Sequence, residues 1–241
     1  MSRKKVNIVA HRGFSGRYPE NTAVAFREAL ALDVEMVEFD VHFARDESLI
    51  IIHDSTVDRT SEGAGRVADL SLREIKRLDA GGWMGKAFRG ERFLTLSEIL
   101  DLVGGKIRLN VHIKAYDRDR DHLVPLVVRE LERHDLLSSS FVAADQESIL
   151  MVKRLQPKLA TCNLSTTPSE TYIDRSLSAS CGILQPGNQQ VEKAFVVEAH
   201  RHNLEVNPFY ADDEGEMRRL IACGVDGILT NRPDRLKTLR G

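Results

Sequence analysis

Short apolar runs alternate with amphipathic segments along most of this chain, and the alternation predicts a strand-helix repeat. Val6 to Ala10 is the first apolar run, and His11-Arg12-Gly13 closes it. The apolar positions Val24, Phe26 and Leu30 predict a helix over Ala23 to Leu32, with Thr22 as its N-cap. Met36 to Val41 and Leu49 to Ile52 read as strands. Between about residues 43 and 93 the pattern loosens, and Gly63, Gly65, Gly81, Gly82, Gly85 and Gly90 punctuate it. Leu70 to Leu78 still reads as a short helix there. Alternation then resumes. A helix is expected from Thr95 to Val103, stopped by Gly104-Gly105, then a strand over Ile107 to Ile113 and a helix over His122 to His134. A strand at Phe141 to Ala143 and a helix at Gln146 to Leu155 follow. Further strands are expected near Ala160 to Asn163, Gly182 to Leu184, Leu204 to Asn207 and Gly227 to Leu229. Helices between them include Val191 to His202 and Gly215 to Cys223.

Parallel strands need a crossover, so repeated strand-helix units imply a parallel sheet. About eight such units predict a closed α/β fold, a (β/α)8 TIM barrel. The loosened stretch is then a small insertion after the second barrel strand. The expected organisation is one domain over residues 1–241, with the insertion at about 43–93. No Gly-x-Gly-x-x-Gly follows the first strand, which argues against a dinucleotide fold.

Composition narrows the partners. The 241 residues are 42% hydrophobic and 29% charged, with a formal net charge of −2. That balance gives no reason to expect nucleic acid or an acidic membrane surface. The three cysteines, Cys162, Cys181 and Cys223, are far apart and odd in number, so they read as buried hydrophobes in a reducing compartment. The basic start Met1-Ser2-Arg3-Lys4-Lys5 is followed by too short an apolar segment for a signal peptide, and no run is long enough to cross a bilayer. The expectation is a cytoplasmic protein without stable membrane insertion.

The candidate chemistry gathers at strand ends, where a barrel of this type keeps its functional residues. Glu38 and Asp40 are two apart, so on a strand both carboxylates share one face, and His42 extends it. Paired carboxylates repel, and a divalent cation with a taste for oxygen, Mg²⁺ or Ca²⁺, relieves the repulsion. His11 and His53 each end an apolar run beside a charged neighbour, Arg12 and Asp54, and suit a general acid-base pair. Arg12 and Lys114 point to an anionic substrate group such as a phosphate. Lys114 shares a face with His112 and Asn110.

Several ordered motifs carry a resemblance. His11-Arg12-Gly13, Pro19-Glu20-Asn21-Thr22, Glu38-Phe39-Asp40-Val41, His53-Asp54, Arg59-Thr60, Thr95-Leu96-Ser97-Glu98 and the run Gly224 to Asp234 together resemble the glycerophosphodiester phosphodiesterase family. Each motif alone is weak, but the ordered set spans His11 to Asp234. The resemblance implies a TIM barrel with an insertion after the second strand. It implies metal-dependent hydrolysis of a small glycerophosphodiester to sn-glycerol 3-phosphate and an alcohol. It also implies His11 and His53 as the catalytic histidines, and Glu38 and Asp40 as metal ligands. Arg12 and Lys114 become phosphate contacts, and Glu20 an acid close to metal and substrate.

Three positions depart from the pattern. The family usually carries a Glu metal ligand where this chain has His112. An imidazole there removes one negative charge and admits Mn²⁺ or Zn²⁺ beside Mg²⁺ or Ca²⁺. Ala44 stands where Thr is common. Phe209 stands where many members have Trp, as an aromatic wall for the substrate. His112 also opens an alternative, a catalytically altered member that binds phosphodiesters or acts on another one such as a lysophospholipid. Trp83, Met84, Phe88 and Phe93 in the insertion serve either as an apolar entrance or as a small core beneath it.

Overall fold

In chain order the strands are β1 (Asn7–His11), β2 (Met36–Phe43), β3 (Leu49–Ile51), β4 (Leu94–Thr95), β5 (Arg108–Ile113), β6 (Ser140–Ala144), β7 (Ala160–Ser165), β8 (Ile183–Pro186), β9 (Glu205–Val206) and β10 (Gly227–Thr230). The helices are α1 (Ala23–Ala31), α2 (Leu72–Ile75), α3 (Leu96–Val103), α4 (Arg120–Arg133), α5 (Gln146–Leu155), α6 (Tyr172–Ser178), α7 (Lys193–Arg201), α8 (Glu214–Cys223) and α9 (Pro233–Arg240). The structure, a computed structural model, describes residues 5–115, 119–165 and 171–240. Of the basic N-terminal run, Met1-Ser2-Arg3-Lys4 lie outside the described residues.

Eight strands run parallel in the order β10-β1-β2-β5-β6-β7-β8-β9. Backbone hydrogen bonds also join the β9 and β10 sides: Asp226 N–H donates to Val206 O, Leu229 N–H to Pro208 O and Ala211 N–H to Leu229 O, at 3.0, 3.0 and 3.1 Å. The architecture is a (β/α)8 TIM barrel with a small insertion after β2. Both faces of such a sheet are covered, which is why the strands read as continuous apolar runs. All five residues of β6 are buried. The outward faces of the strands meet the helices in one large core that includes Phe26, Phe39, Val111 and Val127. The barrel interior is filled by Val9, Met36, Phe141, Ala143, Cys162, Ile183 and Leu229.

Local signals account for most boundaries. Ser71 with Glu74 and Thr95 with Glu98 form reciprocal capping boxes at α2 and α3. Asp145 and Asp213 cap α5 and α8 through their side chains. Thr22 does stand at the N-cap of α1, but its hydroxyl donates to Pro19 O instead of accepting from the helix. The helix expected over Leu70 to Leu78 shortens to the four residues of α2.

The strand expected at Leu49 to Ile52 forms as β3, inside the insertion. It is antiparallel to β2, pairing Val41 with Ile51 and Phe43 with Leu49. β5 occupies one edge of β2 from Met36 to Val41. On the other edge β1 covers Met36 to Glu38, and β3 takes over at Val41. The insertion has its own small core of Ala44, Ile50, Ile52, Val57, Val67, Ile75, Ala80 and Phe93. Phe93 belongs to that core, whereas Trp83 is 41% exposed. Among the described residues, no helix is long and apolar enough to cross a membrane.

Candidate active site

The edge exchange on β2 builds the site. His11 is in register with Glu38 across β1 and β2, and Ile52 N–H donates to Asp40 O at 3.1 Å. Both histidine-bearing segments therefore reach the Glu38–Asp40 stretch along the same edge of β2. On the opposite edge Asp40 is in register with His112. His11, Arg12, Glu38, Asp40, His53, His112, Lys114 and Phe209 all line one cavity of about 630 Å³ at the C-terminal ends of the strands. Glu20 is not part of its lining. Its oxygens instead hold Arg12 at 2.9 Å and Arg59 at 2.7 and 2.8 Å.

Backbone geometry at the start of the loop after β1 is specialised. Arg12 and Asn21 adopt positive φ, 57° and 59°. Gly13 has φ +78°, and a Cβ there would lie 2.8 Å from the Ala25 carbonyl carbon. Only glycine allows this close approach to α1. It turns Arg12 back so that its N–H donates to Glu38 Oε2 at 3.0 Å, while its Nε lies 3.4 Å from Asp40 Oδ2.

Glu38, Asp40 and His112 offer ligand atoms that all lie within 4.8 Å of one another. Both carboxylates are buried, at 3% and 1% exposure. Burial first, then the neighbouring Asp40 charge, pushes the Glu38 carboxyl up to about 8. Burial also pushes Asp40 upward. The hydrogen bond from His112 and the charges of Lys114, His112 and Arg12 overrule it and hold Asp40 well below the usual carboxylate range. Lys114 Nζ and His112 Nδ1 each stand 3.1 Å from Asp40 Oδ1. Two buried carboxylates, one of them forced toward its protonated form, are a donor set short of positive charge. With the imidazole beside them, the residues fit a divalent cation.

The two histidines are held differently. Burial and then the Arg12 charge lower His11 to about 4. Its Nδ1 lies 2.7 Å from Asn231 Oδ1, its Nε2 lies 3.9 Å from Glu38 Oε2, and Tyr210 stacks on its ring at 5.4 Å. His53 places Nδ1 2.7 Å from the Asp54 carboxylate. Arg59 Nε donates to Asp54 at 2.6 Å. That bond, together with His53, lowers Asp54 to about 2. His42, on the polar face of β2, lies 3.0 Å from His53 O. A carbonyl only accepts, so His42 Nε2 is the donor and anchors the backbone that carries His53.

Sequence reasoning missed part of the wall. Tyr210 and Gln185 line the cavity, and Gln185 Nε2 is buried with no hydrogen-bond partner among the described residues. Tyr210 could have been suspected beside Phe209. Gln185 gave no signal, because its role depends on which face of β8 turns inward. Trp83, Met84 and Phe88 do not line this cavity.

Comparison with known proteins gives a consistent answer. Residues 11–235 match the glycerophosphoryl diester phosphodiesterase family. A glycerophosphodiester phosphodiesterase of Caldanaerobacter subterraneus is 34% identical over 240 residues, 98% of each chain. A putative glycerophosphoryl diester phosphodiesterase of Silicibacter pomeroyi has a similar structure, with TM-score 0.92, 26% identity and coverage of 98% of this chain and 93% of that one. A phosphodiesterase of Oleispira antarctica, solved with the product sn-glycerol-3-phosphate, has TM-score 0.92 and 25% identity over 98% of this chain and 96% of its own.

Proposed function

The chain belongs to the glycerophosphoryl diester phosphodiesterase family, and from that premise we propose how its own residues hydrolyse a glycerophosphodiester to sn-glycerol 3-phosphate and an alcohol. The observation that carries the proposal is one cavity lined both by the clustered Glu38, Asp40 and His112 and by His11 and His53. The product held by the Oleispira antarctica protein supports a glycerol phosphate moiety on the substrate.

Glu38, Asp40 and His112 would hold a divalent cation. Such a cation, when bound, withdraws charge from the phosphoryl oxygens. The paired carboxylates suit Mg²⁺ or Ca²⁺, and the imidazole brings Mn²⁺ or Zn²⁺ into contention. Arg12 and Lys114 add positive charge where it builds up on the phosphoryl group in the transition state. Glu20 and Arg59 hold Arg12 in place. Gln185 Nε2 is a free donor for a substrate oxygen, and Phe209 and Tyr210 form the apolar wall.

His11 is the general base. It is neutral over the working range, and its Nε2 faces the carboxylate pair. His53 is the general acid that protonates the leaving alcohol, with the Asp54 carboxylate supplying the charge an imidazolium needs beside it. Water or a substrate hydroxyl next to the phosphate can be the attacking group, since both need the same base.

The test replaces each histidine. His11→Ala and His53→Ala should each lower kcat by about 10²–10⁴-fold, the contribution of one positioned acid or base, with circular dichroism and Tm near wild type. Full activity in either variant overturns its assignment.

A further inference from the structure

We infer that Asp212 and Asn231 are positioning residues that decide which nitrogen of His11 carries the proton. Asp212 lies between β9 and α8, and Asn231 directly follows β10. Neither touches the space where substrate would sit.

The assignment follows from which atoms can donate. The Asp212 carboxylate only accepts. Its Oδ1 takes the Asn231 backbone N–H at 2.7 Å and the Thr230 hydroxyl at 3.0 Å, and its Oδ2 faces the Asn231 amide at 2.7 Å. The amide atom facing Oδ2 must therefore be the NH₂ group. The amide oxygen is left to face His11 Nδ1, 2.7 Å away. An amide oxygen also only accepts, so His11 Nδ1 carries the hydrogen. A neutral imidazole has one hydrogen, so the lone pair sits on Nε2, the nitrogen nearer Glu38. The Ser15 hydroxyl lies 2.7 Å from the same amide oxygen and 2.7 Å from the His11 carbonyl oxygen, so its single hydrogen faces two acceptors and the orientation of the amide is set by Asp212. This chain of three side chains orients the base as a carboxylate does in other catalytic dyads, but with a neutral group in contact with the ring.

The inference rests on His11 as the base, and its test separates the two ideas. Asp212→Asn is isosteric. The new amide can keep its oxygen on the Asn231 N–H and the Thr230 hydroxyl, which leaves its NH₂ facing the Asn231 amide. The Asn231 amide must then turn over and aim its own NH₂ at His11 Nδ1. The ring must carry its hydrogen on Nε2 and present no lone pair to the substrate. The double variant Asp212→Asn/Asn231→Asp puts an acceptor back against both groups and restores the first tautomer.

The measurement is the ¹⁵N–¹H correlation spectrum of the His11 ring in labelled protein, read beside kcat, KM and Tm. Wild type should show hydrogen on Nδ1. Asp212→Asn should show it on Nε2, with kcat lower by about 10²–10⁴-fold, and KM and Tm nearly unchanged. The double variant should recover at least about tenfold of the lost kcat. Hydrogen on Nε2 in wild type, or an unchanged tautomer in Asp212→Asn, overturns the inference. So does equal loss in the single and double variants. A tautomer that switches as expected in a protein whose His11→Ala variant is fully active leaves the chain of side chains standing and removes His11 from the chemistry.

Discussion

His112 Nδ1 lies 3.1 Å from Asp40 Oδ1, directly across the β2–β5 register from it. The third donor of the carboxylate cluster is thus an imidazole, and it contributes no negative charge to a bound cation. Burial, followed by the Lys114 charge, lowers the His112 pKa, so the ring is available as a neutral ligand. His112→Glu should restore an all-oxygen set and tighten Mg²⁺ or Ca²⁺ binding at least about tenfold, since affinity for these ions follows ligand charge count. Calorimetric titration of the two proteins checks this, and equal affinities would remove His112 from the site.

Glu38 predicts a pH dependence for the metal-free protein. Its folded pKa of about 8 stands above the roughly 4.3 of an unfolded glutamate. The native state therefore binds more protons between those values, and stability falls as pH rises toward 8. His11 and His42, both lowered to about 4, act in the opposite sense, but only below the unfolded histidine pKa of about 6.5. From about pH 6.5 to 8 the Glu38 effect should prevail. Tm in EDTA should decline across that window in wild type and stay level in Glu38→Gln. A saturating divalent ion should flatten the wild-type slope by displacing the proton.

Gly13 should not tolerate a side chain. At φ +78°, with the Ala25 backbone 2.8 Å from any Cβ, Gly13→Ala carries a strained conformation worth about 1–3 kcal/mol as well as a clash. Lower Tm and lower kcat should appear together, because the same turn aims Arg12 at Glu38 and Asp40. A Tm loss with unchanged kcat would separate the turn from Arg12.

Arg59 bridges Asp54 and Glu20 through four short contacts of 2.6 to 3.2 Å. It thereby links the partner of His53 to the partner of Arg12. Losing charge-assisted hydrogen bonds of this kind costs about 1.5–3 kcal/mol, so Arg59→Ala should lower kcat/KM by about 10–100-fold. Arg59→Lys should rescue little, because an ammonium cannot span two carboxylates with a planar fork. Steady-state kinetics of both variants are the check.

Much of this site was legible in the sequence because its parts sit on regular strands. The two-residue spacing of Glu38 and Asp40 fixes a shared face of β2, and His112 and Lys114, the latter just past the end of β5, both reach Asp40 Oδ1 at 3.1 Å. What depends on tertiary pairing was not legible. The run Leu49 to Ile51 reads as a strand within the insertion, but its antiparallel pairing with β2 follows from the short connection that joins the two. Glu20 lies in a motif beside the site, but only the fold shows that its oxygens are taken by two arginines. Asp212 stands nineteen residues before Asn231 and carries no local pattern that would join them.

The most direct test of the account is release of glycerol 3-phosphate from glycerophosphocholine by metal-stripped protein, with Mg²⁺, Ca²⁺, Mn²⁺ or Zn²⁺ returned one at a time. The account predicts no release without an ion and clear release with at least one. Release that is equally fast in EDTA, or absent with every ion, would contradict it.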